Sequence, residues 1–368
     1  MTKEAAGRAR PGRTPVPAGR RARPRQAEVA RLAGVSQATV SLVLSGRATA
    51  TGRPISEETR KKVLDAAHSL GYVPDPAASR LAAARNNLLG VYSFTATFPT
   101  DVRHSYYPFL VGVEQEAAAQ GYDIVLFTGS SSGGAGAAGA GALNRVRLAD
   151  GCLFLGRHVP VDELHRLVAD GFPVVHVGRR DEVEGLAWVG ADYVSAGREV
   201  VTALTGLGHR RILLVREDDD APASTDRERG FLDGLTASGL PAGPNAVVRC
   251  GDPRREVTAD RVRAWFADGV TAFVAEETDT GAAWRALRSA VAEAGLSCPG
   301  QVSLALLGSP PPDLADGPVP MGFDIPRPAL GAEAVRLLAS RIGGGAVGST
   351  LVACTFRPGA TAGAPATP

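Results

Sequence analysis

The side chains best placed to do chemistry lie close together near the N-terminus, in the run QAEVARLAGVSQATVSLVLSG at residues 26–46. Gln37 carries an amide that can donate to and accept from one adenine edge at once. Ala38 and Leu42 carry methyl groups of the kind that pack against a thymine methyl. Thr39 and Ser41 bring hydroxyls suited to phosphate oxygens. Such a set reads a patterned polar surface and breaks no bonds. The residues that do break bonds are scattered. His104, His158, His165, His176 and His209 form no HExxH, and no GxSxG marks a nucleophile. Cys152, Cys250, Cys298 and Cys354 stand singly, without a CxxC or a Cys/His cluster. No metal and no cofactor is expected, enzyme chemistry is disfavoured, and the single thiols fit a reducing cytoplasm.

These side chains need a scaffold. Val29, Ala30 and Ala33 give a first short helix an apolar face, and Gly34 ends it. Ser36 is placed to cap a second helix that turns Val40, Val43 and Leu44 inward and Gln37, Ala38, Ser41 and Leu42 outward. Two such helices around a glycine turn make a helix-turn-helix, with an ordinary helical hairpin as the bland alternative. Ser56 opens a third helix in EETRKKVLDAAHSLG, with Val63, Leu64, Ala67 and Leu70 as its inner face and Gly71 as its stop. Arg47 and Arg53, in the loop before it, are placed for phosphate contacts. Pro74 and Pro76 then block continuation, and a short Ala-rich helix is expected over about Pro76–Ala84. That helix is marginal alone. Its Leu81 suits either packing against a partner helix or a wedge between base pairs in a minor groove.

Charge supports a polyanion as the partner of this head. Residues 1–87 carry 16 Arg/Lys against 6 Asp/Glu, although the whole chain is only +2. A basic head on an acidic body is the footprint of nucleic-acid binding. Residues 1–24, Arg-rich among Pro, Gly and Ala, read as a disordered solubilising tail. No stretch is long and apolar enough to span a membrane, and no apolar core follows the basic start as an export signal requires.

From Leu88 onward, strand-like runs alternate with helices. LLGVYSF, YDIVLFTG, LADGCLFLGR and PVVHVGR read as strands, separated by helical FLVGVEQEAAAQG and VDELHRLVADG. The same alternation repeats from residue 195. This predicts α/β architecture with mostly parallel sheets covered on both faces. The run SSGGAGAAGAGA is a surface insertion; it lacks the Lys-Ser/Thr of a phosphate-cradling loop.

AGVSQATVS at 33–41, SEETRKKV at 56–63 and LGYVPDPAA at 70–78, in that order, closely resemble the lactose/purine repressor (LacI) family. In the body, GVEQEAAAQGYDIVLF, DGFPVVHVGR, TALTGLGHRRI, the RxxGF at 227–231 and LGAEAV at 330–335 match blocks of the family's effector core. The resemblance implies an N-terminal all-helical domain and a two-lobed periplasmic-binding-protein-like (type I) core. Expected boundaries are a tail over 1–24, a helix-turn-helix domain over 25–74 and a hinge over 75–87. The first lobe would then take 88–188 and 325–354, the second 189–324 and 355–368. It also implies a homodimer, with a tetramer as the open alternative, on palindromic double-stranded operator DNA. Leu81 falls at the family's wedge position.

A small effector would sit between the lobes, a sugar as the leading class and a purine or other small polar molecule as the alternative. Tyr106, Tyr107 and Phe109 follow the first strand, where an aromatic either stacks on a sugar ring or packs the next helix. Arg227 falls where the family grips its ligand, with a fork suited to hydroxyls or a carboxylate. Asp192 matches a position near the cleft or else caps the next helix. The chain departs from the family in four places. Arg25 and Gln26 replace the usual cap and apolar residue, Leu42 stands where arginine is common, and the loop at 48–54 is longer. The family's Gly-Phe/Tyr-Asp strand end also reads QVSLALLGSPPPDL here, with Gly308 or Ser309 at the aspartate; Asp324, in a later GFD, falls in what reads as a linker. A transport binding protein and a DNA-binding protein with an unresponsive core are the rival readings.

Overall fold

The computed structural model describes residues 24–45, 55–72, 86–94, 106–127, 143–278, 280–311 and 317–366. The tail before residue 24, Arg47, Arg53, the hinge helix with Leu81 and the Gly/Ala-rich run lie outside the described residues. The chain divides into two compact units, residues 1–85 and 86–368.

In the first unit, α1 (Gln26–Ala33), α2 (Gln37–Ser45) and α3 (Glu57–Leu70) enclose a small core of Val29, Ala30, Val40, Val43, Val63, Ala66 and Ala67. Its turns follow from local chemistry. Gly34 takes φ 68° and closes α1, a left-handed conformation that favours glycine. Ser36 Oγ accepts from the Thr39 amide at 3.1 Å, and Ser56 Oγ from the Thr59 amide at 3.3 Å, so both later helices start on a side-chain cap. α1 starts on Arg25 without one. One inner-face expectation fails: Leu64 is 47% exposed and Ala66 is buried instead. Ala66 and Ala67 join Val63 in the core shared with α1 and α2, and Leu64 lies off that face.

The second unit holds two sheets, each with helices on both faces. In chain order its elements are β1 (Leu88–Ser93), α4 (Tyr107–Ala119), β2 (Asp123–Phe127), β3 (Gly151–Leu155), α5 (Val161–Ala169), β4 (Val174–Val177) and β5 (Ala187–Ala191). There follow α6 (Tyr193–Gly206), β6 (Ile212–Glu217), α7 (Pro222–Ala237), β7 (Val247–Cys250), α8 (Pro253–Glu256), α9 (Ala259–Ala267), β8 (Ala272–Glu276), α10 (Ala282–Glu293) and β9 (Ser303–Leu307). The chain closes with β10 (Met321–Asp324), α11 (Arg327–Ile342), β11 (Thr350–Val352) and β12 (Thr355–Arg357). Among the described residues the first sheet has the order β11-β5-β4-β3-β1-β2 and the second β12-β10-β9-β8-β6-β7. Every pairing is parallel except β10 with β12. The central strands are buried end to end, as parallel strands covered on both faces must be.

The chain passes between the lobes three times. β5 pairs with β4 in the first sheet, so the first passage falls after Ala191, three residues beyond the expected boundary at 188. The short run AWVGA is held there because Val189 and Ala191 point into the core. The second passage follows β10. The GFD of residues 322–324 is therefore a strand and not part of a linker: Met321 and Phe323 are buried, and β10 is hydrogen-bonded to both β9 and β12. The third passage lies between β11, at the edge of the first sheet, and β12, at the edge of the second.

Two motif glycines are set by helix contact. A Cβ on Gly331, in LGAEAV, would collide with the Phe109 carbonyl, and one on Gly230, in RxxGF, with the Val194 carbonyl. These glycines let α11 lie against α4 and α7 against α6 at backbone distance, which orients the helix starts that face the cleft.

Candidate DNA interface and effector cleft

The head presents α2 much as its pattern requires. Gln37, Ala38 and Ser41 are exposed, while Thr39 and Leu42 are half-buried. The Thr39 hydroxyl sits 2.9 Å from Ser36 Oγ, so it shares in the cap as well as facing outward. Gln37 Nε2 lies 3.5 Å from Gln26 Oε1, at the limit of a hydrogen bond, leaving the amide able to turn to a base. On α3, Lys61 and Lys62 are exposed, and Lys62 pairs with Glu58 one turn earlier.

In the second unit the C-terminal ends of the strands of the two sheets face each other across a cleft of about 130 Å³. This is where open α/β sheets bind ligands, beyond the carboxyl ends of their strands. Tyr106 and Phe109 line it, with ring centroids 6.4 Å apart. Tyr107 does not: it is 71% exposed on the outer side of α4. One helical step rotates it about 100° from Tyr106, away from the cleft. Arg227, on α7, lines the cleft and is buried. Its Nε donates to the Leu307 carbonyl at 2.8 Å and Nη1 to the Ala223 carbonyl at 3.1 Å. The guanidinium lies 3.9 Å from the centre of the Tyr193 ring, a cation–π arrangement that fixes both groups. Asp192 is the cap of α6, its carboxylate accepting from the Ser195 amide at 3.0 Å, and it is not among the cleft-lining residues. The helix-capping alternative for Asp192 is the one the geometry displays.

The pattern reading missed most of what lines the cleft. Arg157, Arg179, Arg180 and Arg327 all reach it, and so do Asp226 and Glu277. A signal was present. β3 runs into Leu155-Gly156-Arg157 and β4 into Val177-Gly178-Arg179. Two parallel strands ending in Gly-Arg place two cations at the ligand-binding edge of one sheet.

These groups are tied across the lobes. Arg179 from the first lobe makes a two-point contact with Asp226 of the second, both bonds 2.8 Å. Arg327, at the start of α11, pairs with Glu277, which follows β8. Arg157 pairs with Asp219 and donates to Ser224 Oγ at 2.8 Å. Glu276, buried beneath them, is held above its usual carboxylate range by burial. Burial likewise pushes Arg180 below the ordinary arginine value. Where the family pattern has an aspartate after β9, Gly308 takes φ 144°, a left-handed-side conformation suited to glycine. The Glu277 carboxylate lies against it and accepts from the Ser309 amide at 3.2 Å. Asp324 pairs with Arg357 instead and is not among the cleft-lining residues.

Comparison with known proteins bears on both units. Residues 27–75 match the family described as bacterial regulatory proteins, lacI family, and residues 201–361 match the periplasmic binding protein-like domain. The transcriptional regulator CelR of Thermobifida fusca is 31% identical over 333 residues, 88% of this chain and 94% of CelR. This chain belongs to the LacI family. GntR of Pseudomonas aeruginosa is 28% identical over 333 residues, covering 88% of this chain and 90% of that one. In fold, the lac repressor dimer bound to operator superposes with a TM-score of 0.71 at 19% identity, over 92% of this chain and 99% of that one. The CelR–cellobiose complex does so with a TM-score of 0.62 at 24% identity, over 92% and 100%. As a LacI-family member the chain is a DNA-binding transcriptional regulator and not an enzyme. Among the described residues no helix is long and apolar enough to cross a membrane.

Proposed function

We propose that this LacI-family regulator is a cytoplasmic repressor of carbohydrate-metabolism genes whose grip on its operator is set by a small molecule bound between the lobes. The observation that carries the reading is the cleft. Two sheets turn their ligand-binding edges toward one space lined by Tyr106, Phe109 and Arg227 and bridged by ion pairs from both lobes. A ligand there contacts both lobes at once, so its binding energy acts on their relative placement. The solved CelR, of similar fold, is a cellobiose complex, which supports a sugar or sugar derivative as effector. The chain acts as a homodimer on a palindromic site. Each subunit lays α2 in a major groove, with Gln37, Ala38 and Leu42 at the bases and Thr39, Ser41, Arg47 and Arg53 near phosphates. Leu81 enters the minor groove at the centre.

The test is selection of the operator from random DNA, followed by affinity measurements at fixed salt with and without a panel of sugars, sugar derivatives and nucleobases. A palindromic site whose affinity shifts with one compound is the expected result. A palindromic site indifferent to every compound would leave the DNA-binding reading and remove the effector-controlled one.

A further inference from the structure

The cleft is unusual in its charge. Among the described residues that line it, five are arginines and two are carboxylates. An arginine offers five N–H donors, accepts nothing and keeps its charge at any physiological pH. How each of the five is satisfied therefore bears on what the cleft can hold. Arg179 and Arg327 are held by carboxylates reaching over from the second lobe, Asp226 and Glu277. Arg180 is buried and leans on the carbonyls of Gly156, Arg157 and Arg179, with Glu182 3.7 Å from its Nε; that Nε makes no hydrogen bond, and neither does the buried Nε of Arg327. Arg227 likewise rests on carbonyls, with Glu277 at 3.6 Å. Carbonyls orient a guanidinium but carry no countercharge, and the carboxylates nearest Arg180 and Arg227 stand off at 3.7 and 3.6 Å.

A ligand entering this space has to part Arg179 from Asp226 or Arg327 from Glu277. A neutral sugar would leave Asp226 or Arg327, each little exposed, without its charged partner, an expensive arrangement, although Arg179 keeps Asp181 and Glu277 keeps Arg227. A ligand with its own oxyanion replaces the displaced carboxylate. We propose that the effector is an anion, a small sugar-like molecule bearing a carboxylate or a phosphate, and that Asp226 and Glu277 occupy its charge sites in the unliganded protein. The inference rests on the cleft being the effector site. Asp226 and Glu277 then act as internal competitors of the ligand, so removing one of them tightens binding.

The experiment is calorimetric titration of the full-length protein with glucose, with glucuronate and glucose 6-phosphate as its charged counterparts, and with inorganic phosphate. Asp226→Asn, Glu277→Gln and Arg179→Gln are titrated alongside the unmodified chain. The expected result is binding of at least one anion and no binding of glucose. Affinity should rise about tenfold in whichever carboxamide variant folds and fall at least tenfold in Arg179→Gln. A response to glucuronate but not to glucose 6-phosphate or phosphate assigns a carboxylate, and the reverse assigns a phosphoryl group. Binding of glucose alone, undiminished in Arg179→Gln, would overturn the anion assignment and leave the cleft as the effector site. Silence toward all four compounds in the unmodified chain and both carboxamide variants would overturn the anion assignment. If the operator also ignores the whole panel, the effector-site reading falls with it.

Discussion

At the scale of single residues the head and the core make opposite demands. The proposed base contact needs Gln37 exposed and free to turn, and its weak contact with Gln26 permits that. Gln37→Ala should relax preference at one position of each half-site by about 1–3 kcal/mol. A binding selection repeated on the variant checks this, and an unchanged preference profile would remove Gln37 from base reading. His176 shows the other demand. It is wholly buried on β4, bonded through Nδ1 to the Gly178 carbonyl at 2.8 Å, and burial lowers its pKa to about 3. The unfolded chain takes up this proton near pH 6.5, the folded chain only near 3. Its contribution is therefore fully present above about pH 6.5 and is lost as pH falls from there toward 3, by up to about 1.4 kcal/mol per pH unit. His176→Asn removes that proton uptake. Urea unfolding at pH 7, 6 and 5 should show a shallower loss of stability in the variant than in the unmodified chain.

At the scale of elements, the caps and close contacts give further expectations. α1 begins on Arg25 with no side-chain cap, whereas Ser36 and Ser56 cap α2 and α3. Arg25→Ser should stabilise the head by about 1 kcal/mol, read as a higher thermal midpoint for its unfolding. Gly331→Ala should destabilise the core by about 1–3 kcal/mol, because the added methyl meets the Phe109 carbonyl and α11 has to move off α4. Equal urea midpoints for the two proteins would contradict that packing. For the hinge, Leu81→Ala should weaken operator binding and leave the oligomer unchanged in sedimentation. Legibility in the sequence also varied by element. The helices of the head, with their caps and stops, were plain from Gly34, Ser36, Ser56 and Gly71, because local chemistry decides them. β5 and β10 were not. Each is four or five residues long and contains residues of weak strand preference, so only its neighbours in a sheet make it a strand. Leu64 misled because the buried face of α3 is centred on Val63, Ala66 and Ala67, and Leu64, about 100° round the helix from Val63, falls outside it.

At the scale of the whole molecule, most of the candidate cleft was hidden for a related reason. Arg157, Arg179, Asp226, Glu277 and Arg327 are far apart in the chain, and it is the topology that assembles them. The motif glycines around them announced a close approach and not the charges it brings together. The charge of the whole chain is easier to read. A head of +10 on a body of −8 makes operator binding strongly dependent on salt. Raising salt from 50 to 200 mM should cost at least a hundredfold in operator affinity, on the order expected for several phosphate contacts. A flat salt profile would argue against phosphate contacts by the head.

The three passages between lobes carry a consequence for synthesis. α11 covers the first sheet, and β11 and β12 supply one edge strand to each sheet, all from residues 327–357. Neither lobe can complete its sheet until this stretch has left the ribosome, although more than three hundred residues precede it. During that interval β5 and β10 present unpaired edges, the kind of surface that recruits other chains. A nonsense change near residue 345 would therefore not yield a protein with one good lobe. It would yield two open sheets and a product destined for proteolysis or aggregates, so that alleles broken at the very end should behave like alleles broken in the middle.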